Sequence, residues 1–310
     1  MRWRLPNRAM TGMAIVCAAL LVNGCEAQVW GTPPAAEDTS QATVVAAPQA
    51  SFPDLPAAPP APPTAGLDGL DARVRQAIAD ASKSGADIST VVLDRSTGQT
   101  VSSGANSPFP IASVVKLFIA DDLLLQVSKG QTTLSPADRQ SLDIMLRSSD
   151  DSAAQNFWDR SGGNAVIARV KARYGLSGTT APYNSHWDVT TSTASDLVRY
   201  YDMLLNGSGG LPPEQANIII SNLAQSTPTG NDGYPQRFGI PEGLFAEPVA
   251  VKQGWFCCWS GANQLHVSTG VIGPERRYVM AISSLDPVSA SAARANITRA
   301  VKTMFPGGKI

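Results

Sequence analysis

The chain has 310 residues, 43% of them hydrophobic and 16% charged, enough to bury the core of one large domain or two small ones. Its 24 Lys and Arg against 25 Asp and Glu leave a net charge of −1, which argues against a nucleic-acid binder, and two histidines argue against a His-rich zinc site. No second long apolar run follows the N-terminus, which excludes a multi-span membrane protein.

Arg2, Arg4 and Arg8 precede a short apolar run from Ala9 to Val22, the pattern of a secretory signal over residues 1–24. The run ends in Val22-Asn23-Gly24-Cys25, which resembles the lipobox of bacterial lipoproteins. That resemblance implies that Cys25 carries the lipid and becomes the new N-terminus. Palmitate-type acyl chains would then hold the protein on the outer face of the bacterial cytoplasmic membrane. The other reading is an ordinary signal peptide in which Cys25 is incidental. Residues 25–66 read as a tether: Thr32 to Ala65 is Pro- and Ala-rich, and Pro33-Pro34, Pro59-Pro60 and Pro62-Pro63 favour extended geometry with nothing to pack.

The folded part is expected over residues 67–310. Leu70, Val74, Ile78 and Ala81 repeat at helical spacing, and Gly85 supplies a stop. Ile88 to Asp94 and Gln99 to Ser103 read as a hairpin across Arg95-Ser96-Thr97-Gly98. A helix is predicted from Ser113 to Lys129, and Ser135-Pro136-Ala137-Asp138 is a capped start for the next. Further helices are predicted over Ala153–Trp158, Asn164–Tyr174, Ala194–Leu205 and Pro213–Leu223. Strands return at Pro248–Phe256, Gln264–Ile272 and Arg277–Ser284, before a final amphipathic helix through Ala292, Ile297, Ala300 and Met304. Strands at both ends with helices between predict an α+β architecture. One antiparallel sheet is built from residues 67–110 and 245–310, with a helical lobe, about 111–244, inserted between them.

Cys257 and Cys258 are adjacent, so they cannot staple distant segments. They form a vicinal disulfide or stay as two thiols on opposite faces of a strand.

Chemistry begins at Ser113-Val114-Val115-Lys116. On a helix the i and i+3 side chains share a face, so a lysine amine can reach the serine hydroxyl. A lysine kept neutral by burial can take the proton that makes serine a nucleophile. Two more segments follow, Ser148-Ser149-Asp150-Asp151 at a junction between predicted helices, and Lys252-Gln253-Gly254 in a late strand. Together these residues resemble the S-x-x-K, S-D-N and K-T-G motifs of class A serine β-lactamases and the penicillin-binding D,D-peptidases, in the same order. Phe109-Pro110 just before Ser113, Ala153-Ala154 after the second motif and Thr190-Thr191, expected to open the next helix, also look like family positions, and the likeness covers about Leu67 to Phe305.

The resemblance implies the β-lactamase/transpeptidase-like fold, with a five-stranded antiparallel sheet flanked by helices. It implies a serine acyl-enzyme with no cofactor and no metal, whose partner is a β-lactam or a D-Ala-D-Ala-like peptide. Ser113 would be acylated, Lys116 would accept its proton, and Ser149 would relay a proton to the leaving nitrogen. Lys252 would lie near the substrate carboxylate, beside Asp151, Gln253 and Trp255, and the backbone N–H groups of Ser113 and Trp255 would form the oxyanion hole.

Three departures bear on activity. Asp151 stands where the family has an amide; a carboxylate only accepts hydrogen bonds, and it would hold Lys116 protonated. Gln253 replaces a Thr or Ser, and with Trp255-Phe256 would narrow the cleft. The stretch Leu176 to Val189 contains no Glu to activate a deacylating water, leaving His186 and Asp188 to position one or simply to hold the loop. Weak or slow hydrolysis of β-lactams, or D,D-peptidase-like action on cell-wall peptides, is therefore expected. The alternative is a catalytically degenerate lipoprotein that binds a cell-envelope ligand. Trp255, Phe256 and Trp259 read as packing at the cleft mouth or a sugar platform, and His266 as a satisfied sheet residue.

Overall fold

The computed structural model describes residues 67–103 and 106–310. The expected signal, Cys25 and tether lie outside the described residues. In chain order the elements are α1 (Leu70–Ser82), β1 (Asp87–Asp94), β2 (Thr100–Ser102), β3 (Phe109–Pro110), α2 (Lys116–Ser128), α3 (Pro136–Arg147), α4 (Asp151–Arg160) and α5 (Ala165–Tyr174). They continue with β4 (Thr191–Ser192), α6 (Ala194–Asn206), α7 (Pro213–Ala224), α8 (Ile240–Gly243), β5 (Val249–Trp259), β6 (Asn263–Ile272), β7 (Tyr278–Asp286) and α9 (Ala290–Met304).

Five strands form one antiparallel sheet in the order β2-β1-β7-β6-β5, so the first and last thirds of the domain meet at its middle. Strand alternation divides the core in two. Val91, Val279 and Ala281 face the helical lobe, whereas Val92, Met280 and Ile282 face α1 and α9. On that second face Leu70, Val74, Ile297, Val301 and Met304 close the layer. Each such side chain contributes roughly 1.5–3 kcal/mol by leaving water.

The lobe is organised around α2, in which every residue from Lys116 to Leu125 is buried. A helix buried on all sides must be apolar or have its charges met. Here Asp122 accepts from Arg169 at 2.7 Å, and Asp121 accepts from Arg173 and the Tyr174 hydroxyl. The α3 start forms the full capping box, with Ser135 and Asp138 satisfying each other's backbone N–H.

Two expectations are corrected near the nucleophile. The helix predicted from Ser113 begins as a 3-10 turn over Ala112–Val115 and becomes α-helical only at Lys116. Thr190-Thr191 do not open a helix: Thr191–Ser192 pairs with Phe109–Pro110 in a two-stranded ribbon, and α6 starts after Thr193, whose hydroxyl accepts from the Asp196 N–H. Both the ribbon and the short α8 are too brief to leave a periodic signal.

Candidate active site

Ser113 sits on the 3-10 turn, where side chains three residues apart eclipse one another. Lys116 therefore lies directly over it, its Nζ donating to Ser113 Oγ at 2.6 Å. The preceding Ala112 is held at φ 46°, a left-handed conformation that costs a non-glycine residue on the order of 1–3 kcal/mol. Strand β5 comes close enough to this turn that a Cβ on Gly254 would fall 2.5 Å from the Ile111 carbonyl oxygen. Only glycine permits that approach, and it sets the edge of the sheet against the nucleophile.

The second hydroxyl arrives from the α3–α4 junction. Ser149, also left-handed at φ 59°, accepts from Lys252 Nζ at 2.9 Å and from Lys116 Nζ at 3.3 Å. Its carbonyl oxygen accepts from Lys116 at 3.0 Å. Asp150 caps α4, accepting from the Ala153 N–H at 2.7 Å, which leaves Asp151 to turn toward the cleft. Asp151 Oδ1 accepts from Lys116 Nζ at 2.6 Å although its side chain is 68% exposed and the lysine is fully buried. Burial pushes the Lys116 amine below its ordinary pKa, and the charge and hydrogen bond of Asp151 pull the other way. Lys252 is driven further down by burial and by the neighbouring Lys116 charge.

Ser113 opens into a cavity of about 370 Å³ lined by Ala112, Ser113, Asp151, Gln155, His186, Trp187, Asp188, Asp232, Trp255 and Phe256. The Trp187 ring covers Lys116, with Nζ 4.5 Å from its centroid, and its indole N–H donates to Gln155 at 3.1 Å. On the opposite wall the Trp255 indole donates to Asp232 at 3.2 Å and stacks on Tyr234 at 4.9 Å.

Ser113, Lys116, Ser149, Asp151 and Lys252 thus come together, with Lys252 beneath the cavity rather than on its wall. Trp255, Phe256, His186 and Asp188 line it, whereas Trp259 does not. Gln253 is elsewhere. Its amide donates to the backbone oxygens of Gln236 at 3.1 Å and Phe238 at 2.6 Å in the interior, so it does not narrow the cleft as expected. Alternation along β5 is the reason, since neighbours of Lys252 face the other side of the sheet. The Cys257–Cys258 alternative resolves to a vicinal disulfide, exposed just beyond Phe256. His266 is fully buried with Nε2 at 2.7 Å from the Tyr234 hydroxyl. Its Nδ1 has no partner among the described residues, so the histidine is only half satisfied. Three cavity residues escaped sequence reasoning in these positions. Asp232 lies in a loop without periodicity, Gln155 is one polar residue on a polar helix face, and nothing in the sequence signals that Trp187 lies over an amine.

The model of the β-lactamase enzyme family matches residues 70–139. The chain is 54% identical to the Mycobacterium tuberculosis protein named "Putative lipoprotein LppW", over 98% of this chain and 99% of that one. The same figures hold for its Mycobacterium bovis counterpart. Among solved structures, a β-lactamase from Chitinophaga pinensis superposes with a TM-score of 0.60 at 17% identity, covering 75% of this chain and 98% of that one. PBP-A superposes with a TM-score of 0.63 at 18% identity, covering 76% and 95%. A PBP-A variant has been captured as an acyl-enzyme complex with penicillin G. At these identities the structural matches establish the shared fold.

Proposed function

This chain belongs to the LppW lipoprotein family and has the β-lactamase/penicillin-binding fold, and from that premise we propose that it is a penicillin-recognising serine acyl-enzyme, slow to release its acyl group. The observation that carries the reading is the buried Lys116 amine, depressed in pKa and 2.6 Å from the Ser113 hydroxyl.

Neutral Lys116 takes the Ser113 proton as Oγ attacks the carbonyl carbon of a β-lactam or a D-Ala-D-Ala-like peptide. The N–H groups of Ser113 and Trp255 receive the oxyanion, each such donor being worth about 3 kcal/mol in acyl transfer. The C–N bond then breaks and the leaving nitrogen takes a proton through the Ser149 hydroxyl, replenished from the amines that flank it.

Release is the slow half. Trp187 covers the Lys116 face, and among the described residues no glutamate lies on the cavity wall. His186 and Asp188 are the side chains that remain to orient a water from the far loop. Lipidation at Cys25 would hold the domain at the outer face of the cytoplasmic membrane, within reach of wall peptides.

Incubation with penicillins should add one drug mass to Ser113, and the adduct should vanish in Ser113→Ala. An unmodified protein across several β-lactams would refute the reading. One observation favours the alternative of a binding module without turnover: the 2.6 Å contact of Asp151 with Lys116, which pulls the amine toward its charged form. Equal binding of wall fragments by wild type and Ser113→Ala, with no adduct, would establish that module.

A further inference from the structure

The polar wall of the cavity is acidic, and two of its carboxylates, Asp188 and Asp232, form no ion pair among the described residues. Asp151 is met by Lys116. Among the described residues Asp232 accepts from neutral donors, the Trp255 indole at 3.2 Å and the Tyr234 backbone N–H at 2.9 Å. Asp188 has no ion-pair partner among the described residues. Among the described residues no lysine or arginine lines the cavity. Lys116 and Lys252 lie beneath it, 0% and 1% exposed, and Arg294 is taken up against the Tyr234 ring at 4.8 Å.

The remaining wall is aromatic. Trp187, Trp255 and Phe256 border the same space. Ring faces attract cations, and carboxylates in a partly enclosed cavity act through less water than on an open surface. Both effects reward an ammonium or guanidinium and penalise a carboxylate in the same position. A second carboxylate brought beside Asp188 and Asp232 would meet like charge on the wall, with cationic groups only in the buried layer beneath, at Lys116 and Lys252.

The geometry points to a substrate whose portion within this cavity is positively charged, an amine-bearing acyl donor rather than an anionic one; the inference rests on the acyl-enzyme reading of Ser113 and adds its substrate class. The carboxylate that penicillins share is common to the three penicillins below and is absent from both peptide amides, so within each set the charge of the variable side chain is what the cavity discriminates.

Three penicillins with one nucleus isolate that charge: ampicillin with an ammonium side chain, benzylpenicillin with a neutral one and carbenicillin with a carboxylate. Rates of adduct formation on the intact protein, followed by mass, should run in that order, with ampicillin at least tenfold faster than carbenicillin. Raising the salt from 50 to 500 mM should shrink the ratio. The ratio should also fall toward unity in the Asp188→Asn, Asp232→Asn double variant. Equal rates, or carbenicillin fastest, would overturn the inference. If no penicillin acylates Ser113, the acyl-enzyme reading fails by itself and charge preference is read by calorimetry on Ser113→Ala. Nα-acetyl-Lys-D-Ala-D-Ala amide should then bind at least tenfold more tightly than its Nε-succinyl form. Equal affinity, or no binding of either peptide, would overturn the substrate class as well.

Discussion

Two buried polar networks share α2, and they are built in opposite ways. Toward the middle of the helix, Asp121 meets Arg173, Tyr174 and Tyr200, and Asp122 meets Arg169. Each buried negative charge has a guanidinium. At the start of the helix, Lys116 and Lys252 converge on one serine hydroxyl, and the carboxylate in contact with Lys116 is mostly exposed. Charge that is matched holds helices together; charge that is crowded and short of partners is forced toward neutrality, which is what a proton acceptor requires. The first network is stability, and the second spends stability on reactivity.

That contrast can be broken at either end. Replacing the amine with an apolar chain of similar length, Lys116→Met, should cut the rate of acylation by about 10³-fold, within the range of a lost general base. Its thermal midpoint should hold or rise, because a buried, desolvated amine has been replaced by an apolar chain. Undiminished labelling would mean the amine is not the acceptor. In the matched network, Asp121→Asn strands the Arg173 charge and should cost about 3–5 kcal/mol in urea unfolding. A loss below about 1 kcal/mol, the scale of an exposed ion pair, would erase the distinction between the networks.

His266 offers a third case, neutral through burial. Desolvation, reinforced by Arg294, lowers its pKa to about 4. The unfolded chain takes up that proton near pH 6.5, so between those values the unfolded state binds more protons and stability falls as pH drops. The loss across the window should be on the order of 3 kcal/mol. His266→Gln should flatten the curve of urea midpoint against pH; an unchanged slope would place the acid sensitivity elsewhere. The smallest effect belongs to Asp151→Asn. Removing the carboxylate that favours charged Lys116 should raise acylation at neutral pH by about tenfold, equivalent to one pKa unit. The rising limb of the rate profile should shift to lower pH, and a shift to higher pH would show that Asp151 assists the amine instead.

How far the sequence reaches is visible in single residues. Ser113 and Lys116 are legible because their spacing is local, and any helical turn brings them together. The strands and most helices are legible for the same reason, since period and punctuation are properties of short windows. Gln253 misled the reading because a linear motif was carried over without its alternation: the residue after Lys252 must face the opposite side of β5. Asp232 and Gln155 reach the cavity only through the packing of a long loop and a helix, a relation with no local trace. The 3-10 turn at Ser113 is likewise set from outside, by β5 approaching over Gly254.

The strand order has a consequence for how the molecule is made. Thr90 on β1 donates to the carbonyl of Ala281 on β7, 191 positions later. A chain that lengthens from its N-terminus can form the β1–β2 hairpin early, yet that hairpin waits beside an empty edge until the final strands are synthesised. Closing so wide a separation is slow. The helical middle, with its own apolar interior, can collapse first and serve as the surface on which the two ends find each other. A nascent chain halted after β6 would bear a bare strand edge with no neighbour to cover it.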